Sequence, residues 1–404
     1  MKELGNKKGN TNYNQKIKPN VFEIILGIYF LFVVLSCIFT KYGILNCIFG
    51  INGRGEGVIT IFSYIVTLIL FSRGFKYIKD TLIFAVIGAV VVCIYSFVQV
   101  NLPNGYSLPF APHTLIHVAT GTMRNQNFLS SYIIIFLPMF CYYYLANDFR
   151  KNSNKNILTL VFISMLFSTL LFSKTLGGYI TFIFMFLVIC SFCVITLSDK
   201  KYVIKKEIIL TILFILIFVI TNILIDNSFA KELMGSKDEI NKLAAQDETF
   251  GSHRFQIWEK ALMVVKNNFL FGTGPDSLDR ELSNLDVYLT KGESDVLNIY
   301  RVDKAHFEFL HIAATTGVPS LIAYLCNIIP ICFILLLKVL KGHKASIIQT
   351  EKENKKNNRI FVTMIFIGII SYLMQGMINI SVIQVAPLFW AMLGIGINII
   401  EDKK

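Results

Sequence analysis

With 404 residues, 54% hydrophobic content and a mean hydropathy of +0.60, the chain carries more apolar surface than one soluble core of ordinary size can hide, so the bilayer must be its solvent. A formal net charge of +12 raises nucleic acid as a partner, but that reading needs basic residues gathered on one face or in one module. Here they sit in short clusters between apolar runs, and no nucleic-acid function is expected.

A span needs roughly 20 apolar residues to cross the hydrocarbon core. That criterion predicts about ten helical spans, near 21–40, 57–72, 81–100, 127–146, 156–173, 178–197, 207–225, 318–337, 360–379 and 386–400. The polar stretch Met1 to Asn20 lacks the apolar core of a cleavable signal, so the first span is expected to serve as the targeting signal. Lys and Arg cluster in alternate connections: Lys2 to Lys18, Arg73 to Lys79, Arg150 to Lys155, Lys200 to Lys206, Lys338 to Arg359, and Lys403 with Lys404. All six clusters share one parity, which predicts a multi-pass protein with these clusters and both termini in the cytoplasm. The short connections of the other parity hold only Lys41, Arg54, Arg124 and Lys174.

The expected organisation is a cytoplasmic tail (1–20), spans 1–7 (21–226), an extracytoplasmic loop subdomain (227–305), an outer-face helix with spans 8–10 (306–400), and a short cytoplasmic tail (401–404). Within the large loop, Ser252 is a plausible N-cap, and Phe255, Trp258, Leu262 and Val265 recur at the spacing of one apolar helical face. The small, turn-forming residues from Asn268 to Gly274 end that helix. The eight cysteines fall in or beside apolar runs and imply no disulfide scaffold; the C-x-x-C pair Cys190 and Cys193 reads as packing. Pro138 and Pro330 read as kinks packed by neighbouring helices.

Ionisable groups are nearly absent from the middle of the spans, where ion-coupled transporters usually place them. Polar and basic residues instead converge on the outer face in four stretches. These are Gly121-Thr-Met-Arg-Asn-Gln-Asn127, Ser173-Lys-Thr-Leu-Gly-Gly178, Arg254 with Trp258 followed by Gly272-Thr-Gly-Pro275, and His306 opening a helix that leads to Gly317.

In these stretches the chain resembles the O-antigen ligase and polymerase superfamily of bacterial envelope glycan assembly, which includes protein O-oligosaccharyltransferases. The resemblance covers roughly residues 120 to 380. A G-T-x-x-N-x-N segment at the start of a span matches Gly121, Thr122, Asn125 and Asn127. R-x-x-x-W followed by a G-x-G turn matches Arg254, Trp258, Gly272 and Gly274. A His before a helix and a small-residue turn matches His306, Phe309, Leu310, Thr316 and Gly317. The chain departs from the family at two positions: Phe307 stands where Asn commonly follows the His, and Lys174 stands in an S-R-G-like turn, keeping a charge but not a bidentate fork.

The resemblance implies an all-α membrane protein of glycosyltransferase-C-like architecture, with a large helical extracytoplasmic loop between spans 7 and 8. It implies transfer of a glycan from a polyprenyl-pyrophosphate-linked donor to an acceptor hydroxyl on a glycan, lipid or protein, in the company of membrane lipids and other polysaccharide-assembly proteins. Such a donor carries its own leaving group, so the residual tasks are to stabilise charge growing on the pyrophosphate and to place the hydroxyl in line. Cations perform the first task without a metal. Arg254 is the expected catalytic cation, with Arg124 and Lys174 as helpers, and His306 the expected general base or acceptor-orienting group. Asn125, Asn127, Trp258 and Glu308 complete the expected substrate-binding set, with His311 able to share a helical face with Glu308. His253, His306 and His311 lack zinc-ligand spacing, so neither metal nor organic cofactor is expected.

Each of these residues also has an ordinary structural reading. Arg254 could lie over Trp258 on a helix surface, His306 could make only local bonds, and Arg124 and Lys174 could anchor to lipid headgroups. Asn125 and Asn127 could simply cap the fourth span. Two other functional classes stay open as well, a lipid-linked oligosaccharide flippase or transporter and a catalytically silent assembly protein.

Overall fold

The computed structural model describes residues 19–50, 54–75, 78–102, 118–150, 152–224, 250–284, 302–348 and 353–401. The described residues are helical, with no strand among them. In chain order the helices are α1 (Val21–Ile38), α2 (Ile44–Phe49), α3 (Val58–Gly74), α4 (Ile78–Asn101), α5 (Gln126–Ala146), α6 (Ser153–Phe172), α7 (Leu176–Thr196) and α8 (Lys200–Leu224). They continue with α9 (Phe250–Asn267), α10 (Leu278–Asn284), α11 (Glu308–Thr316), α12 (Val318–Ile348), α13 (Glu353–Gly376) and α14 (Ala386–Glu401).

Each of the ten expected spans coincides with a helix, and seven helices are long and apolar enough to cross a membrane, consistent with an integral membrane protein. Val58–Gly74 and Ala386–Glu401 are shorter apolar helices. α12 runs 31 residues, well past the expected end near 337. Burial separates a centre from a perimeter. In α5 and α13, 89% and 72% of the apolar window is buried, against 33% in α1, α4 and α7. The outward residues of the perimeter are large and apolar, including Phe84, Leu158, Ile195 and Ile223. A face of that kind is stable only against hydrocarbon. α13 packs along α5, α14 along α3 and α1 along α12.

Several cations at the basic end satisfy helix termini. Lys206 donates to the carbonyls of Tyr144, Leu145 and Asn147 at 2.6, 2.8 and 2.6 Å, closing the C-terminus of α5, and Lys338 reaches the carbonyls of Ile399 and Ile400 at the end of α14. Orphan carbonyls and the negative end of the helix dipole both favour a cation there. Asn20 and Glu23 form a capping box on α1, and Glu23 also accepts from Arg73 at the end of α3. All eight cysteines are free thiols, and Cys193 is buried. Both α5 and α12 continue through their prolines.

Much of the expected loop subdomain, together with the chain termini and the loop histidines His113 and His117, lies outside the described residues. The part that is described, 250–284 and 302–317, corrects one expectation. α9 begins at Phe250, so Ser252 lies inside the helix rather than capping it. Its buried stripe is Ile257, Ala261 and Val264, whereas Phe255 and Leu262 are exposed. The small side chain of Ala261 lets α9 approach α11, where Leu310 and Ala314 complete a satellite core with Leu278 and Leu282 of α10. A pattern weighted by large apolar residues overlooks that alanine.

Candidate functional site at the loop end of the bundle

The Gly-Thr-Gly-Pro turn after α9 is laced to α11 by backbone bonds. Thr273 and Gly274 N–H donate to the carbonyls of Ala314 and Thr315 at 3.0 and 2.8 Å, and Val318 N–H donates to Phe269 at 2.9 Å. A Cβ at Gly272 would stand 2.4 Å from the Thr315 carbonyl, and one at Gly317 would stand 2.3 Å from Leu270 O; both glycines have positive φ. Glycine is required at these positions by close approach and by backbone conformation together. Ser36 and Thr40, at the end of α1, hold the same clasp through Thr315 O and Thr273 O, each at 2.7 Å.

The clasp delivers Asp276 to a buried charge cluster. Lys304 is fully buried; its Nζ donates to Glu56 Oε2 at 2.6 Å, pairs with Asp276 Oδ1 at 3.1 Å and lies 3.3 Å from His311 Nε2. Burial opposes the charge on Lys304, but Glu56 and Asp276 outweigh it and hold the ammonium above its ordinary range. One residue earlier, Asp303 accepts from Arg54, whose guanidinium also lies 5.6 Å from the centre of the Phe128 ring. That contact ties the α5 N-terminus to the extended segment 302–307 that carries His306.

Trp258 anchors the same segment from α9: its indole Nε1 donates to Ala305 O at 3.0 Å, and its ring lies 5.9 Å from that of Phe307. Arg254, one turn earlier, is thereby carried to His306. Burial and the positive charge of Arg254 push the His306 imidazole down to about 4, against the pull of Asp303. Burial also lowers Arg254 itself. The two residues expected to act together therefore lie within electrostatic reach of one another, and near neutral pH His306 is a neutral imidazole, not a cation. Replacing Trp258 with Phe keeps the ring but removes the bond to Ala305; transfer activity should fall by about tenfold with membrane levels unchanged, as measured on matched membranes.

Glu308 opens α11 and faces inward. Its Oε2 accepts from Ser381 N–H at 2.6 Å. Burial and the neighbouring charge of Glu56 push its carboxyl up to about 7, against the opposing Ser381 bond and Lys304. From the same α13–α14 connection, Asn379 donates to Asn127 O at 3.3 Å and to Ser131 Oγ at 3.2 Å. The connection thus bridges Glu308 to the start of α5.

The remaining expected residues are placed less directly. Asn125 is the N-cap of α5, its Oδ1 accepting from Asn127 N–H at 2.8 Å, and Asn127 contributes its backbone carbonyl. Arg124 is exposed and Lys174 half-buried. Yet Arg124, Lys174 and His306 share an unusual feature with Asp276: φ values of 63°, 47°, 50° and 55°, in the left-handed region that non-glycine residues rarely occupy. Strain of this kind persists where surroundings over-determine it, often at functional sites.

Sequence reasoning missed Arg54, Glu56, Asp276 and Lys304. Lys304 could have been found, since it stands two residues before His306, but its partner Glu56 is 248 positions away. No group of three or more His, Cys, Asp or Glu residues disposed to hold a metal ion occurs among the described residues. A search of curated proteins finds no significant match. The O-antigen ligase family model, in contrast, matches residues 159–325, from α6 into α12, a stretch that holds Lys174, Arg254, Trp258, His306 and Glu308 and that supports placing the chain in the O-antigen ligase and polymerase superfamily.

Proposed function

We propose that the protein is a metal-independent membrane glycosyltransferase that moves a polyprenyl-pyrophosphate-linked saccharide onto an acceptor hydroxyl at the outer face of a bacterial plasma membrane. The observation that carries this reading is the docking of α9 against the segment that carries His306, with Arg254 close enough to depress the imidazole. A guanidinium in a poorly hydrated pocket binds pyrophosphate oxygens strongly, and it stabilises them most when the leaving group gains charge. Arg54, beside Asp303, adds a second cation to the same rim.

The lipid part of such a donor has a suitable place. An apolar crevice of about 380 Å³ runs between α6, α7 and α8, lined by Leu171, Leu176, Phe182, Ile183, Phe214 and Ile215. Lys174 sits in the turn between Leu171 and Leu176, at the end of the bundle where a pyrophosphate would emerge from the hydrocarbon. A polyprenyl chain in the crevice and a diphosphate between Lys174 and Arg254 is the arrangement that we infer.

Disruption of the gene, with surface glycans resolved by gel, tests the reading. A polymerase leaves single repeat units on the surface, whereas a ligase leaves unattached lipid-linked polymer. Wild-type glycan length and attachment in the disrupted strain would overturn it.

A further inference from the structure

Beside Glu308 lies a cavity of about 60 Å³, lined among others by Glu56, Tyr64, Asp276, His311 and Tyr324. At about 30 Å³ per water, it admits roughly two water-sized groups and no sugar ring. Two of its polar atoms, Tyr64 OH and His311 Nδ1, are buried without a hydrogen-bond partner among the described residues. Buried polar groups of native proteins are almost always satisfied, so the cavity is built to receive hydroxyl-bearing groups. Its three carboxylates are not equivalent. Glu56 and Asp276 are held by Lys304, whereas Glu308 receives a single N–H, from Ser381, and among the described residues no second donor bonds it.

We propose that Glu308 is the group that takes the proton from the acceptor hydroxyl, directly or through one water in this cavity, while neutral His306 orients that hydroxyl. The assignment rests on the transfer reading above. In the step, the acceptor O–H bond breaks and its proton passes to a Glu308 carboxylate oxygen. The acceptor oxygen bonds the anomeric carbon of the donor saccharide, and the bond from that carbon to the pyrophosphate oxygen breaks, its electron pair leaving on the polyprenyl pyrophosphate.

The surroundings suit the task. Burial and the negative charge of Glu56, from the α2–α3 connection, push Glu308 up, and Lys304 and the N–H of Ser381 oppose them; the phenols of Tyr29, Tyr64, Tyr324 and Tyr372, from α1, α3, α12 and α13, lie within electrostatic reach of the same carboxyl. The result is a carboxyl poised near 7, whereas His306 near 4 is too weak a base to draw a hydroxyl proton efficiently.

The test is the pH profile of transfer by the purified full-length protein, using lipid-linked saccharide extracted from its own membranes as donor. Wild-type rates should rise with pH to a plateau, with a midpoint near 7. Glu308→Gln, close to isosteric, should lower kcat by at least about 100-fold at the plateau and abolish the rise, with the donor KM unchanged. Glu308→Asp should restore part of the rate together with the pH-dependent limb. Glu308→Gln retaining the wild-type limb, or losing rate only through KM, overturns the assignment. Folded wild-type protein that transfers nothing at any pH overturns the transfer reading, and the assignment with it.

Discussion

Replacing Lys304 with methionine will cost about 3–5 kcal/mol of stability, the largest effect expected from any single substitution outside the spans. The ammonium is completely buried and neutralises two carboxylates at 2.6 and 3.1 Å. Removing it leaves Glu56 and Asp276 facing one another without a counter-charge. The loss would spread, because Glu56 belongs to the connection before α3 and Asp276 to the turn after α9, so this side chain reinforces three segments that the Arg54–Asp303 pair and the Trp258–Ala305 bond also tie together. Purified protein should show a clearly lowered unfolding midpoint, and membrane levels should drop. Lys304→Met combined with Glu56→Gln and Asp276→Asn should recover most of the loss, since neutral amides need no counter-charge. A Lys304→Met protein with wild-type stability would mean that the cluster is solvated and that its energy has been misassigned.

Arg254→Ala should reduce transfer by roughly 100- to 1000-fold, equivalent to about 2.7–4 kcal/mol of transition-state stabilisation, with little change in protein level. The guanidinium is half-buried one turn before Ile257, on the same face of α9 as Ile257, Ala261 and Val264 but N-terminal to them, and the satellite core that docks the helix is built from apolar side chains. Its removal therefore leaves the apolar contacts of that core in place. Arg254→Lys should fall between, since an ammonium keeps the charge but not the planar fork. The discriminating readout is kcat against donor KM: charge stabilisation that grows during bond breaking appears mainly in kcat. A purely KM-based defect would recast Arg254 as a docking residue.

The spans were legible because a run of apolar residues in a bilayer has few alternatives to a helix. Every run found in the sequence became one, with ends displaced chiefly where basic residues such as Lys200 and Lys206 extend the helix beyond the apolar stretch. His306, Trp258 and Arg254 were legible as a motif, and the fold brings them together through the Trp258 bond to Ala305. Asn125 also read correctly in its plainer sense, as a cap. What the sequence concealed was pairing across distance. Nothing near Glu56 advertises Lys304, and nothing near Arg54 advertises Asp303, because each ion pair closes only when α3 meets the second half of the chain. The left-handed backbone of Arg124, Lys174 and His306 was equally invisible, since none of these residues favours it. The face of α9 was misread for another reason: its buried stripe includes an alanine, Ala261.

The clasp between 269–274 and 314–318 has a consequence for how this protein can diversify. Because main-chain atoms make most of the bonds between the two arms, most side-chain substitutions loosen the joint little, and the arm bearing Arg254 must travel with the arm bearing His306 as one inherited unit. New acceptor preferences are therefore free to arise around that unit, in the segments that border it. A hybrid enzyme assembled from two relatives should place its seams outside both arms.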